Sequence, residues 1–175
     1  MSTNSAATGS ATDLSVIVVN RNTRQLLDEC LASIHSLPDA VTLQVVVVDN
    51  GSTDGSVQTV RERHPWVELI CNDVNTGFAY PNNQGLAVST GRYVILLNSD
   101  TLVRPGAFER LVRFMDEHPR AGACGPKLLY PDGRLQPSCR SFPTVWVHVC
   151  DMLFLDRVFP RSRLFGNMET WFDHA

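Results

Sequence analysis

Carboxylate and amide side chains follow three apolar segments of this 175-residue chain. They are Asp49, the pair Asn72-Asp73 and the triplet Asn98-Ser99-Asp100. Their oxygens are hard ligands that suit Mg²⁺ or Mn²⁺, an ion that a protein carboxylate can share with a substrate diphosphate. Such an ion stabilises the negative charge that develops on a diphosphate leaving group. With Asp49 accepting hydrogen bonds from a base or ribose, these residues predict a site for a nucleotide sugar.

The segments that precede these polar residues have the composition of buried strands. We predict strands over 14–19, 44–48, 67–71 and 93–97, with a further strand-like segment over 121–130. Helices are predicted after a capping-box pattern at Asn22 and Gln25, over 54–63 and 81–89, and after Pro105. This alternation indicates an α/β fold with a mostly parallel sheet and helices on both faces.

In a parallel sheet of this kind, ligands bind beyond the carboxyl ends of the strands. We therefore expect Asn20, Asp49 and Asp100 to meet in one crevice. The alternative is a structural role, in which each aspartate caps the helix that follows its strand.

Two other classes of ligand are not supported by the sequence. No G-x-G-x-x-G follows the first predicted strand and no G-x-x-x-x-G-K-[ST] occurs, which excludes a dinucleotide fingerprint and a P-loop. The formal net charge is −3, and Lys and Arg form no block. Nucleic acid is therefore not expected as a partner.

Cysteine usage and hydropathy bear on the location of the protein. Five cysteines are present without a C-x-x-C pair, and we expect reduced, mostly buried thiols. No apolar stretch approaches the roughly 20 residues that cross a bilayer, and no basic segment followed by an apolar core stands at the N-terminus. These features predict a cytoplasmic protein.

Three regions are predicted along the chain. Residues 1–13 are small and polar and are expected to be a disordered leader. Residues 14–130 would form the nucleotide-sugar-binding core. In 131–175 the alternation ends, because Pro131-Asp132-Gly133-Arg134 is a turn signal that predicts hairpin and loop. The apolar segment Val145–Leu155 follows and is too short to span a membrane.

Five longer motifs occur in the order SVIVVNRN, VVVVDNGSTDGS, NTGFAYPNNQGL, GRYVILLNSDT with PGAF, and GPKLLYPDGRLQPSCRSFPT. Together they resemble the inverting family 2 glycosyltransferases of the GT-A fold, and within them the rhamnosyltransferase-like branch. The resemblance runs from about Leu14 to the C-terminus. It implies a GT-A-like core that transfers a sugar, with rhamnose favoured, to a saccharide or lipid-linked acceptor. The donor would be dTDP-rhamnose or a UDP-sugar, and the cofactor Mg²⁺ or Mn²⁺.

The resemblance also implies roles for single residues. Those that would line the base and ribose are Val19, Asn20, Arg21 and Asp49. Those that would lie beside the diphosphate are Asn75, Gly77, Asn82 and Asn83, of which the last two can equally be ordinary helix or turn residues. Asn98, Ser99 and Asp100 would form the family's DXD-type motif, with Asp100 as the metal ligand. Asn98 replaces the first Asp of that motif, which predicts weaker cation binding.

Members of this family continue with a second half that carries the acceptor site and, in an acidic Glu-Asp motif, the catalytic base. No acidic pair follows Asp116-Glu117 in this sequence. We therefore expect a fold that is incomplete at the C-terminus, with no catalytic base in this chain. Two alternatives stay open, a non-catalytic nucleotide-sugar-binding domain and a protein-interaction domain. Without the second half, Val145–Leu155 would be exposed. It would then contact the inner face of a membrane peripherally or serve as a self-association surface.

Overall fold

The computed structural model describes residues 12–38, 40–136, 138, 144–159, 162 and 165. These residues fall into two compact units, one that ends at Cys124 and one that begins at Gly125. The elements of the first unit are β1 (Leu14–Asn20), α1 (Arg24–His35), β2 (Leu43–Asn50), α2 (Ser56–Arg63), β3 (Glu68–Asn72), α3 (Ala79–Val88), β4 (Tyr93–Asn98) and α4 (Ala107–Glu117). Those of the second unit are α5 (Val145–Met152) and α6 (Leu155–Val158).

The four strands form one parallel sheet in the order β3-β2-β1-β4. The register places Asn20 opposite Asp49, Asp49 opposite Cys71, and Val19 opposite Asn98. Because every strand runs in the same direction, the polar residues at the carboxyl ends of the strands lie along the same side of the sheet. The predicted parallel sheet is confirmed.

Helices cover both faces of the sheet, as the alternation predicts. On one face, the side chains of Val16, Val18, Val45 and Val47 pack in one buried cluster with apolar residues of α1, α2 and α4. Alternate residues point to the opposite face. There α3 lies so close to β1 that a Cβ added at Gly85 would stand 2.5 Å from Cγ2 of Ile17. A glycine at this position is what allows α3 to approach the sheet.

We expect Gly85→Ala to destabilise the fold by about 1–3 kcal/mol, since Ile17 is fully buried and an added methyl group overpacks its surroundings. Urea unfolding of the two proteins measures the difference. The matched control is Gly122→Ala, because no atom lies within 4 Å of a Cβ built at that glycine. Equal unfolding midpoints for Gly85→Ala and the native chain would contradict the close approach of α3.

Two local predictions are wrong. Asn22 and Gln25 do not form a capping box, because α1 begins at Arg24 and its N-cap, Thr23, makes no side-chain capping bond. Asn22 instead has a positive φ of 53°, and its side chain accepts the N–H of Thr53 at 2.8 Å. The segment 121–130 is not a strand; in the described chain its single ladder contact is an antiparallel bridge between Leu129 and Leu135. Pro126 within this segment lacks the N–H that a regular ladder needs.

The second unit contains the turn and the apolar helix. The N–H of Tyr130 donates to the carbonyl of Arg134 at 2.8 Å, and Gly133 at φ +85° completes the turn. Helix α5 exposes most of its apolar side chains, including Val145 and Met152 at 82% and 79%. Contact of this segment with a membrane or a second copy stays a prediction. Among the described residues, no helix is both long enough and apolar enough to cross a bilayer.

Candidate functional site

A buried pair of side chains lies where β1 and β2 end. Asn20 is fully buried and Asp49 is 2% exposed. The Asn20 amide donates to Oδ1 of Asp49 at 2.9 Å and to Oγ of Ser52 at 3.2 Å, and Oδ2 of Asp49 accepts the N–H of Ser52 at 2.8 Å. Each carboxylate oxygen of Asp49 is thus held by a donor from the protein, which fixes the orientation of the group.

Asn20 also connects to the loop that follows β4. The Thr23 hydroxyl donates to Oδ1 of Asn20 at 2.6 Å, and the same hydroxyl oxygen lies 2.9 Å from Oγ of Ser99. The side chains at the ends of β1 and β2 and in the β4 loop are therefore joined in one hydrogen-bonded chain.

Asn50, the last residue of β2, organises the loop after β3. Its amide donates to Oδ1 of Asn75 at 2.8 Å and to the carbonyl of Gly77 at 2.7 Å. Its oxygen accepts the N–H and the hydroxyl of Thr76 at 3.0 and 2.9 Å. Gly77 has a φ of +83°, a conformation that glycine adopts without strain. Two predicted diphosphate-side residues, Asn75 and Gly77, are thus held by Asn50, a buried residue that is not among the predicted site residues. The available signal was a polar residue at the last position of a buried strand.

The Asn98-Ser99-Asp100 loop is open to solvent. Asn98 and Asp100 are exposed and Ser99 is half-buried. The N–H of Thr101 donates to the carbonyl of Asn98 at 3.2 Å, which closes a tight turn. Burial and, to a lesser degree, the negative charge of Asp100 raise the pKa of the nearby Cys30 thiol to about 11. Cys30 is therefore an unreactive core residue, and the Asp100 carboxylate faces outward from the β4 end.

The carboxylate of Asp100 is the type of ligand that a divalent cation shared with a substrate diphosphate would use. In the part of the chain that the structure describes, no group of three or more His, Cys, Asp or Glu side chains could hold a metal ion. A cage made by the protein alone is therefore not present there. A single exposed carboxylate is the arrangement in which Mg²⁺ keeps most of its ligands from water and substrate phosphates.

The remaining predicted residues differ in exposure. Val19 is half-buried, whereas Arg21, Asn75, Gly77 and Asn83 are exposed. Asn82 is 5% exposed, and its amide donates to the carbonyl of Phe78 in its own helix at 2.7 Å. That bond is what an ordinary helix residue makes. The structure brings Asn20, Asp49 and Ser99 into one bonded network and places Asn75 and Gly77 in a second one around Asn50.

The capping alternative for the two aspartates is not supported. The residue that binds the first turn of α2 is Asp54, whose Oδ1 accepts the N–H of Ser56 at 3.0 Å. Burial raises the pKa of Asp54, but hydrogen bonds from Ser56 and from the Arg24 N–H outweigh it and hold the pKa below its ordinary value. Helix α4 has Gly106 at its N-cap without a side-chain capping bond, so Asp100 does not cap it.

Cysteines in the described chain are evenly divided between core and surface. Cys30 and Cys150 are buried thiols, and Cys71 and Cys124 are exposed thiols. The expectation of mostly buried cysteines is therefore correct for two of these four. None of them lies in the networks around Asp49 and Asn50.

Solved structures with the same fold bind nucleotides. TarS of S. aureus, solved in complex with UDP, matches with a TM-score of 0.55 at 28% identity over 62% of this chain and 33% of its own. A mannosyltransferase from Pyrobaculum calidifontis, solved with GDP-Man and Mn²⁺, matches with a TM-score of 0.57 at 28% identity over 70% of this chain and 37% of its own. The fold of this chain is thus GT-A-like, as predicted.

The sequence comparisons specify the family. The Glycosyl transferase family 2 model matches residues 15–160, and the chain belongs to this family. The N-acetylglucosaminyl-diphospho-decaprenol L-rhamnosyltransferase of Mycobacterium tuberculosis is 34% identical over 143 residues, which are 75% of this chain and 46% of that protein. The chain therefore spans about half the length of this relative.

Proposed function

We propose that this chain is the donor-binding part of a glycosyltransferase that takes its sugar from a nucleoside diphosphate. The observation that supports this most directly is the parallel sheet of a family 2 chain with Asp49 and the Asn98-Ser99-Asp100 loop along one edge. Both groups lie at the carboxyl ends of their strands, next to the crevice where α/β sheets bind their ligands.

The proposed site has a base side and a diphosphate side. On the base side, Val19, Asn20, Arg21 and Asp49 line the base and ribose, and the amide of Asn20 also holds the Asp49 carboxylate. On the diphosphate side lie Asn75, Gly77 and Asn82, with Asn98 and Ser99 at the β4 end. Asp100 would hold the divalent cation, Mg²⁺ or Mn²⁺.

The proposed reaction inverts the anomeric carbon of the donor sugar. An acceptor hydroxyl, on a saccharide or lipid-linked molecule, attacks that carbon in line with the departing diphosphate. When bound, the cation supplies positive charge that stabilises the leaving diphosphate. The residues of this chain hold the nucleotide in position. The catalytic base, which accepts the proton of the acceptor hydroxyl, is assigned to none of them. Rhamnose is the favoured sugar, because the rhamnosyltransferase of M. tuberculosis is 34% identical.

A thermal shift experiment tests donor binding. We expect UDP or TDP to raise the unfolding temperature in the presence of Mn²⁺ and to raise it less without the ion, because a ligand that binds only the folded state stabilises it. At a free ligand concentration 100 times the Kd, the stabilisation is about 2.7 kcal/mol. Unchanged unfolding temperatures with either nucleotide and with either ion would contradict the proposal. If the nucleotide raised the unfolding temperature equally with and without Mn²⁺, the proposed nucleotide site would stand and the proposed cation would be contradicted.

A further inference from the structure

A continuous chain of hydrogen bonds joins the base side of the proposed site to its cation side. It begins at the Asp49 carboxylate at the end of β2, passes through the Asn20 amide at 2.9 Å and the Thr23 hydroxyl at 2.6 Å, and ends at the Ser99 hydroxyl at 2.9 Å. Thr23 and Ser99 are 76 residues apart in the sequence. Ser99 directly precedes Asp100, so the last bond of this chain fixes the backbone next to the proposed cation ligand.

The number of hydrogen atoms sets the direction of every bond. Thr23 has one hydroxyl hydrogen, which it donates to Oδ1 of Asn20, an atom that can only accept. In its contact with Ser99, the Thr23 oxygen must therefore accept, and Ser99 must donate. All the donors point toward the Asp49 carboxylate, an arrangement in which each bond polarises and strengthens the next. With its hydrogen used in this way, Ser99 presents only oxygen lone pairs to a ligand.

The series of hydrogen bonds from Asp49 to Ser99 has little freedom to rearrange. Asn20 is fully buried, and both ends of its amide group are already bonded. Thr23 precedes α1 without capping it, so its hydroxyl serves Asn20 and Ser99 and not the helix. A shift of the Ser99 loop therefore changes the bonds of Asn20, and through them the position of Asp49.

We propose that Thr23 is a positioning residue that couples cation binding at Asp100 to nucleotide binding at Asp49. This inference rests on the proposed function, since both ligands belong to that site. Thr23 contacts neither ligand; through its bond to Ser99 it holds the loop that carries Asp100, the residue that would hold the cation. Loss of its hydroxyl lowers the gain in nucleotide affinity that the cation provides.

The experiment compares Thr23→Val with Thr23→Ser. Valine keeps the shape of threonine and removes the hydroxyl, whereas serine keeps the hydroxyl. Each protein is titrated calorimetrically with UDP and with TDP, in the absence and in the presence of Mn²⁺. For each nucleotide, the Kd without Mn²⁺ divided by the Kd with Mn²⁺ gives the gain in affinity that the cation provides. We expect Thr23→Val to reduce this Mn²⁺-dependent ratio about tenfold, within the range of typical coupling between sites. Its metal-free Kd should stay within about twofold of the native value, and Thr23→Ser should restore the ratio.

Two further variants isolate the bond to Ser99. Thr59→Val is the matched control, because its hydroxyl bonds the carbonyl of Gly55, the N-cap of α2, and belongs to neither hydrogen-bonded network of the site. Ser99→Ala removes the other partner, and we expect the losses in the double variant with Thr23→Val to be less than additive, since both substitutions remove one shared interaction. Additive losses in the double variant would overturn the inference.

The outcomes separate this inference from the function on which it rests. A native chain that binds neither nucleotide contradicts the proposed function and the coupling with it. A native chain with a Mn²⁺-dependent gain that Thr23→Val retains in full overturns the coupling alone. If Thr23→Val lost the same factor in nucleotide affinity with and without Mn²⁺, the coupling would also be overturned, because Thr23 would then have a purely structural role.

Discussion

Asp100→Ala is expected to abolish the Mn²⁺-dependent part of nucleoside diphosphate binding. Asp100 is an exposed carboxylate two residues after the end of β4, and no cluster of three potential metal ligands is present in the described residues. Asp100 is the one carboxylate that the proposed function assigns to the cation, so cation binding is expected to depend on it. Loss of an outer partner of a metal ligand typically weakens metal binding 10–100-fold, so loss of the ligand itself should weaken it by at least about 100-fold.

Titration of Mn²⁺ into the UDP-saturated or TDP-saturated protein measures this effect. Glu62→Ala is a suitable control, because it removes an exposed carboxylate of α2 that Gln58 contacts at 2.7 Å, outside the strand-end edge. Metal-free nucleotide binding should persist in Asp100→Ala, since Asp49 and its partners are unchanged. An apparent Mn²⁺ affinity equal to that of the native chain would remove Asp100 from the proposed cation site.

Asn20→Ala should destabilise the protein by about 2–4 kcal/mol. The substitution removes a donor to the buried Asp49 carboxylate and an acceptor for the Thr23 hydroxyl, and it leaves a cavity. A buried polar group left without its partner typically costs about 1–3 kcal/mol, and more when the group is charged. Asn20 is thus expected to matter more for the fold than for direct contact with a ligand.

Chemical denaturation with urea measures the loss for Asn20→Ala. Asn83→Ala serves for comparison, because Asn83 is exposed and lies in α3. Its change in unfolding free energy should stay within about 0.5 kcal/mol, as is usual for surface substitutions. A loss below about 1 kcal/mol for Asn20→Ala would show that water replaces the Asn20 amide at the Asp49 carboxylate.

The positions of Asn20, Asp49 and Asn98 in the sheet could be predicted because they depend on where strands end. The apolar runs before Asn20, Asp49 and Asn98 have the length and the β-branched composition of buried parallel strands. Intervening helices then require a parallel sheet, and a parallel sheet places its carboxyl ends at one edge. Long-range register follows from local patterns in this case, so Asn20 and Asp49 were predicted to meet.

The internal organisation of the site could not be predicted in the same way. Whether Asn20 faces solvent or protein depends on how the β2 loop folds back, and Ser52 of that loop covers its amide. The bond between Thr23 and Ser99 joins positions 76 residues apart, and neither position has a local pattern that indicates it. The error over 121–130 has a related cause, because apolar residues such as Leu128 and Leu129 form a strand only where a partner strand is available.

Strand β4 forms one edge of the described sheet and pairs with β1 alone. Its outward-facing side chains Val94 and Leu96 are 40% and 51% exposed, and its sequence YVILLN contains no charged residue or proline. Charges and prolines are the usual means by which proteins prevent an edge strand from pairing with another chain. Between Tyr93 and Asn98 the strand has neither, so solutions of this chain should become prone to edge-to-edge aggregation as their concentration rises.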